Sequence, residues 1–317
     1  MGKMDNLEFV DLREELEKNH IAWDSPACCS SKESSYSLLR AQMQGTFQFS
    51  REGVWIKDFE HDKKCLSLLH LAKQKSCDLV LFPEYCISDQ VLWDIVSDEA
   101  LWPENRKLWV LPCQGMTKDQ FQAFIENLSK NNRVFLLDTA CTSRRVTFNH
   151  FVTVLFYCFL GYQGDASILC LVPQLKTQPM GDQDCLCEQA GMATGSVVFT
   201  LEQRLLTLLC ADSMNNELTW QRLQEEGLLM SGLTILHPQL NGHPKDQVFS
   251  RLRWELFERG TPGVYITCNW AAGTTLSSPE CQEAAKTIDL SWSCLYRKHA
   301  DDIFEKWERN YSLRRNN

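Results

Sequence analysis

Three polar residues of this 317-residue chain stand where apolar runs end. Glu84 follows Leu79-Val80-Leu81-Phe82 and Pro83. Lys176 follows residues 168–172 after the link Pro173-Gln174-Leu175. Cys210 closes Leu205-Leu206-Thr207-Leu208-Leu209. Continuous apolar runs of this length read as strands buried on both faces. In layered α/β folds, ligands bind near the carboxyl ends of strands. A carboxylate, an ammonium and a thiol meeting there have the parts of a nucleophilic site. A thiol of ordinary pKa, about 8.5, is mostly protonated at neutral pH. A neighbouring carboxylate can accept its proton during attack, and an ammonium can hold first the thiolate and then an oxyanion. The backbone N–H after the nucleophile, that of Ala211, is a further oxyanion donor. Taken singly, each residue has a plainer reading: a loop carboxylate, a surface lysine, and one buried cysteine among 15. Their order along the chain is what raises the chemical reading.

The elements that must position them alternate. Residues 61–75 carry Leu66, Leu69 and Ala72 at helical spacing. Strands are predicted within 36–49 and over 79–82, 108–111 and 133–137. A helix is predicted over 118–130, with Phe121, Phe124, Ile125 and Leu128 on one stripe. The apolar stretch 151–172 is interrupted by Gly161-Tyr162-Gln163-Gly164-Asp165, which leaves two runs too short to cross a bilayer and suited to a hairpin. A strand pair over 197–199 and 205–209 follows, then a helix over 218–226. A strand over 233–236 is closed by Pro238. A helix over 247–259 and a strand over 263–268 complete the body. Strands alternating with helices, with paired strands inserted, predict a layered α/β fold. Residues 1–36, charged and then rich in Ser, Pro and Cys, read as an appendage and linker ahead of one domain over 37–317.

A net charge of −9 and a pI near 5.4 argue against a nucleic-acid or anionic-membrane partner. The start Met1-Gly2-Lys3-Met4-Asp5 lacks an apolar signal core, which predicts a cytoplasmic protein whose cysteines are thiols. No pair of CxxC elements marks a zinc site, and Cys185-x-Cys187 reads as neither metal nor redox motif. His237 and His243 read as loop residues.

The motifs resemble those of the nitrilase, or carbon–nitrogen hydrolase, superfamily over residues 36–275. Cys77-Asp-Leu-Val-Leu-Phe-Pro-Glu84-Tyr85 is similar to that family's apolar strand ending in Pro-Glu. Asn149 opens an apolar strand, and Lys176-Thr-Gln-Pro179 resembles the family's lysine with a nearby proline. Leu205-Leu-Thr-Leu-Leu-Cys210-Ala-Asp212 is similar to the nucleophile strand ending in Cys-x-Asp. Trp254-Glu-Leu-Phe-Glu-Arg259 and Val264-Tyr-Ile-Thr-Cys-Asn269 look like the helix and strand that follow it. The chain departs from the pattern in its long separation of Glu84 from Lys176 and in Ser213-Met-Asn-Asn-Glu217 after the nucleophile.

The resemblance implies a four-layer αββα sandwich once two subunits pair, each subunit giving two sheets flanked by helices. It implies a homodimer or higher homo-oligomer. It implies hydrolysis of a non-peptide amide, or secondarily a nitrile, by Cys210 as nucleophile, Glu84 as base and Lys176 as cation, with no metal or organic cofactor. A second glutamate is expected between Lys176 and Cys210; Glu188 is the candidate and Asp184 its rival. Asp212 is expected to cap the turn after the nucleophile, while Tyr85, Asn215 and Asn269 are candidates for lining the pocket. Two alternatives remain at this stage: acyl transfer from the same site to an amine, and an inactive nitrilase-like interaction module.

Overall fold

The computed structural model describes residues 7–29, 35–50, 52–137, 151–178, 197–229, 232–243, 246–259, 263–278, 286–288 and 292–298. Two six-stranded sheets lie face to face. One has the strand order Leu38–Arg40, Leu79–Leu81, Leu108–Pro112, Val154–Gln163, Ala166–Leu175 and Val134–Leu136. The other has the order Glu8–Asp11, Val197–Leu201, Leu205–Thr207, Leu233–Gln239, Gly263–Asn269 and Leu295–Lys298. Strand alternation divides the apolar residues between layers. Leu79 and Leu81 of the first sheet meet Leu205, Leu209, Leu236 and Ile266 of the second in the inter-sheet core. Val80 and Phe82 turn outward, under Cys65, Leu69 and Ala72 of helix His61–Gln74, with Val91, Leu92 and Ile95 of Asp89–Ser97 and Phe121 and Phe124 of Lys118–Leu128 in the same cluster. On the far side, Leu206, Leu208 and Ile235 pack against Leu223 of Trp220–Glu225 and Leu252 and Leu256 of Gln247–Glu258.

The architecture is therefore the expected αββα sandwich. All four layers lie within one chain, so a second subunit is not needed to complete them. The predicted hairpin is present as Val154–Gln163 and Ala166–Leu175, turning at Gly164 with φ +60°.

Four further features differ from the reading of the sequence. A third six-stranded sheet runs Lys286–Thr287, Thr275–Ser277, Thr46–Ser50, Gly53–Ile56, Gly115–Thr117 and Phe151–Val152. Its strands are short and carry no long apolar run, so nothing announced them. The single strand expected within 36–49 is two strands, one in the first sheet and one in the third. Pro238 does not close its strand, which continues to Gln239. Pairing with Leu205–Thr207 has ended at Leu236, so the strand is an edge on that side, the setting in which sheets accept proline. Finally, the expected appendage is part of the sandwich. Glu8–Asp11 pairs in parallel with Val197–Leu201, and Leu12, Leu16 and Ile21 fill the inter-sheet core. Its charge misled because only one stripe of the helix Leu12–Lys18 faces inward.

Among the described residues every cysteine is a free thiol. Among the described residues, no helix is long and apolar enough to cross a membrane.

Candidate active site

Strand direction brings the three chemical residues to one place. Leu79–Leu81 and Leu108–Pro112 run parallel, so Glu84 lies at their carboxyl end. Val154–Gln163 runs against them with Leu155 beside Pro112, and Ala166–Leu175 returns with Leu175 beside Val154. Lys176 therefore emerges at the same end as Glu84. In the facing sheet Leu205–Thr207, Leu233–Gln239 and Gly263–Asn269 are parallel, which puts Cys210, Leu240 and Asn269 at a common edge.

Lys176 Nζ donates to Glu84 Oε1 at 2.6 Å, with side-chain exposures of 6% and 2%. The second oxygen, Oε2, accepts the Leu240 N–H at 3.2 Å. The indole of Trp270 donates to the Glu84 backbone carbonyl at 2.7 Å. The Cys210 Sγ lies 4.0 Å from the Leu240 carbonyl. Burial, then the charge of Glu84, pushes the Cys210 thiol well up, while Lys176 pulls the other way. The resting sulfur is thus a neutral thiol beside a carboxylate. Burial alone would pull Lys176 down, but Glu84 beside it raises it on balance, so it stays an ammonium. Nζ also stands 5.8 Å from the centre of the Tyr85 ring.

Both turns carry backbone in the left-handed region without glycine: Tyr85 at φ +60° and Cys210 at φ +42°. Such residues cost about 1–3 kcal/mol each and persist where the surroundings impose them. The surroundings of Cys210 are explicit. Its carbonyl accepts from His237 Nε2 at 2.8 Å, and the Tyr265 hydroxyl lies 2.9 Å from His237 Nδ1. Burial pulls His237 down to about 4, so its ring is neutral and the hydroxyl is the donor to Nδ1. Asp212 ties the two loops together. Its Oδ1 accepts from the Thr177 N–H at 2.8 Å, the Thr177 hydroxyl at 2.9 Å and the Gln178 N–H at 3.0 Å, and its Oδ2 from the Leu209 N–H at 3.0 Å. Burial pushes Asp212 up to about 6 against the pull of Lys176 and these hydrogen bonds.

A pocket of about 360 Å³ opens over these groups, lined among others by Glu84, Tyr85, Lys176, Cys210, Leu240 and Asn241. Phe49 and Leu276 of the third sheet form an apolar wall. Glu84, Lys176, Cys210 and Tyr85 are thus brought together as the sequence predicts. Ala211 is fully buried and is not among the residues lining the pocket. Asn215 does not line the pocket; its carbonyl accepts from Arg251 and its side chain from the Glu217 N–H. Asn269 stands one layer behind, its amide exchanging hydrogen bonds with the backbone of Asn241, which does line it. Glu188 and Asp184 lie outside the described residues. His237, read as a loop residue, is instead a fully buried strand residue under the nucleophile. Leu240, Asn241 and His237 went unrecognised because their contributions are backbone groups and a contact to a backbone carbonyl, for which no residue type is diagnostic.

No family model matches the chain, and no curated protein matches it. Similar solved structures include amidases. The NitN amidase from Nesterenkonia sp. AN1 is 13% identical over 82% of this chain and 84% of that one, at a TM-score of 0.39. A cysteine-to-serine variant of the Nesterenkonia AN1 amidase, from the nitrilase superfamily, is 10% identical over 82% of each chain, also at 0.39. A cysteine-to-alanine variant of that amidase in complex with butyramide is 12% identical over 74% of this chain and 76% of that one, at 0.36.

Proposed function

We propose that this protein is a carbon–nitrogen hydrolase of the nitrilase type, acting on a small non-peptide amide. The observation that carries the reading is the buried Lys176–Glu84 pair at 2.6 Å in one pocket with the Cys210 thiol. Glu84 takes the thiol proton as Sγ attacks the amide carbon. The oxyanion is held by the Lys176 ammonium and the Ala211 N–H. Glu84 returns the proton to the leaving nitrogen, the carbon–nitrogen bond breaks, and a thioester on Cys210 remains. Water, deprotonated by Glu84, then attacks the thioester, releasing the carboxylic acid and restoring the thiol. None of these steps calls on a metal or organic cofactor. A volume of about 360 Å³ is in the range of pockets that take small molecules. A cytoplasmic, reducing setting and a homo-oligomeric assembly belong to the same proposal.

The test is ammonia release from a panel of short aliphatic amides and nitriles, run beside Cys210→Ala. The expected result is turnover of amides by the native chain and none by the variant, with a thioester mass adduct on Cys210 under rapid quench. Release that persists in Cys210→Ala refutes the mechanism. Faster product formation with added hydroxylamine, as the hydroxamate, would favour acyl transfer from the same thioester.

A further inference from the structure

Behind the Glu84–Tyr85 turn lies a second group of chemically competent side chains that the proposed hydrolysis does not use. His61 opens the helix His61–Gln74, and Cys65 follows one turn later on the same face. Cys86 belongs to the turn after Leu79–Leu81, two residues beyond Glu84. All three are buried, at 2%, 0% and 0% exposure. Cys65 Sγ stands 3.9 Å from Cys86 Sγ. His61 Nε2 stands 3.4 Å from the first sulfur and 3.8 Å from the second.

Those separations have a chemical meaning. With Zn–S near 2.3 Å and Zn–N near 2.0–2.1 Å, a tetrahedral zinc ion has an S···S edge of about 3.8 Å and an S···N edge of about 3.6 Å. The three ligand atoms therefore already outline one face of such a tetrahedron. Two thiolates and a neutral imidazole around a divalent cation also give no net charge, which is what a buried site requires. The imidazole is incompletely satisfied on its own: Nε2 lies 2.6 Å from the Cys86 carbonyl, while Nδ1 is buried with no hydrogen-bonding partner among the described residues.

We propose that His61, Cys65 and Cys86 form a binding site for a divalent metal ion of the zinc class. Binding releases two thiol protons; the imidazole proton moves from Nε2 to Nδ1, and Nε2 exchanges its contact with the Cys86 carbonyl for the metal. The Cys86 carbonyl also lies 3.8 Å from Cys65 Sγ. The site would brace the turn that carries Glu84, since Trp270 packs 5.7 Å from the His61 ring and donates to the Glu84 carbonyl. The proposal stands apart from the hydrolase reading and does not depend on it.

The experiment uses the full chain carrying Cys185→Ser and Cys187→Ser, which removes one further closely spaced cysteine pair; the remaining one, Cys28–Cys29, is buried in the inter-sheet core with no histidine in the same cluster. Cobalt(II) is the probe. One equivalent is expected to produce thiolate-to-cobalt charge-transfer absorption with visible bands of a tetrahedral ion, displaced by zinc. Adding Cys65→Ala or His61→Gln should each weaken binding by about 100-fold or more. Absence of the absorption, or undiminished affinity in both variants, overturns the site. Should either variant fail to fold, X-ray absorption of the zinc-loaded chain decides. Two sulfurs near 2.3 Å and one imidazole nitrogen near 2.0–2.1 Å support the site, and any other shell refutes it.

Discussion

The Lys176–Glu84 pair shows how a buried ion pair can be costly to break without being a reason for stability. Two charges with almost no exposed side-chain surface balance each other and are further held by the Leu240 N–H on Glu84. Removing one partner leaves the other charged and dry, an effect of about 3–5 kcal/mol. Lys176→Met is therefore expected to lower stability by that amount in denaturant titration and to abolish turnover; a variant as stable as the native chain would contradict this cost. Asp212 makes a pH prediction. Its pKa is raised from 3.8 to about 6, so its contribution to stability is fully present below about 3.8 and is lost as pH rises through about 6. Asp212→Asn removes that titration. It also turns one acceptor oxygen into a donor facing an N–H, since Oδ1 and Oδ2 both accept in the native turn. The gap in melting temperature between native chain and Asp212→Asn should thus be widest near pH 4 and narrow to a plateau above pH 6. A gap that grows with pH would place the Asp212 pKa below its ordinary value.

At the scale of elements, what was legible depended on burial. Leu79–Leu81, Leu108–Pro112 and Ala166–Leu175 are apolar on both faces because each is covered on both faces, and that leaves an unmistakable run in the sequence. The residues ending those runs, Glu84 and Lys176, were legible for the same reason, as was Cys210. The helix Asp89–Ser97 was missed although Ser88 caps it by accepting from the Val91 N–H. The third sheet was not legible, because strands of two to five residues have too few positions to show a period. It nevertheless supplies the apolar wall of the pocket through Phe49 and Leu276. Gly53 is its weak point. It sits at φ +147°, and a Cβ there would stand 2.2 Å from the Gly115 carbonyl oxygen of the paired strand. Backbone cannot yield as a flexible side chain can, so Gly53→Ala should open the pairing of Gly53–Ile56 with Gly115–Thr117. The expected cost is about 1–3 kcal/mol, read as a lower melting temperature. The Michaelis constant should rise more than turnover falls, because the change displaces the wall and leaves Cys210 in place. A loss confined to turnover would contradict this division of labour.

For the whole molecule, the sandwich leaves the two inner faces of its sheets in need of continuous apolar cover, and the first residues of the chain provide part of it. Leu12, Leu16 and Ile21 lie in the inter-sheet core, and Leu7 lies in the cluster beneath the outer helices of the second sheet. The strand Glu8–Asp11 also satisfies one edge of Val197–Leu201 in parallel pairing. Burying each such leucine or isoleucine contributes roughly 1.5–3 kcal/mol, so the four together are comparable to the total stability of a typical domain, about 5–15 kcal/mol. A linker, by contrast, could be removed at little cost. Deleting residues 1–22 separates the two views. With the segment acting as a structural layer, the shortened chain should lose cooperative thermal unfolding, expose the inter-sheet core to a hydrophobic dye, and accumulate in the insoluble fraction. A shortened chain that melts sharply at the native temperature would return these residues to the status of an appendage and leave the second sheet to be stabilised from its other edge, where Gly263–Asn269 already pairs with Leu295–Lys298.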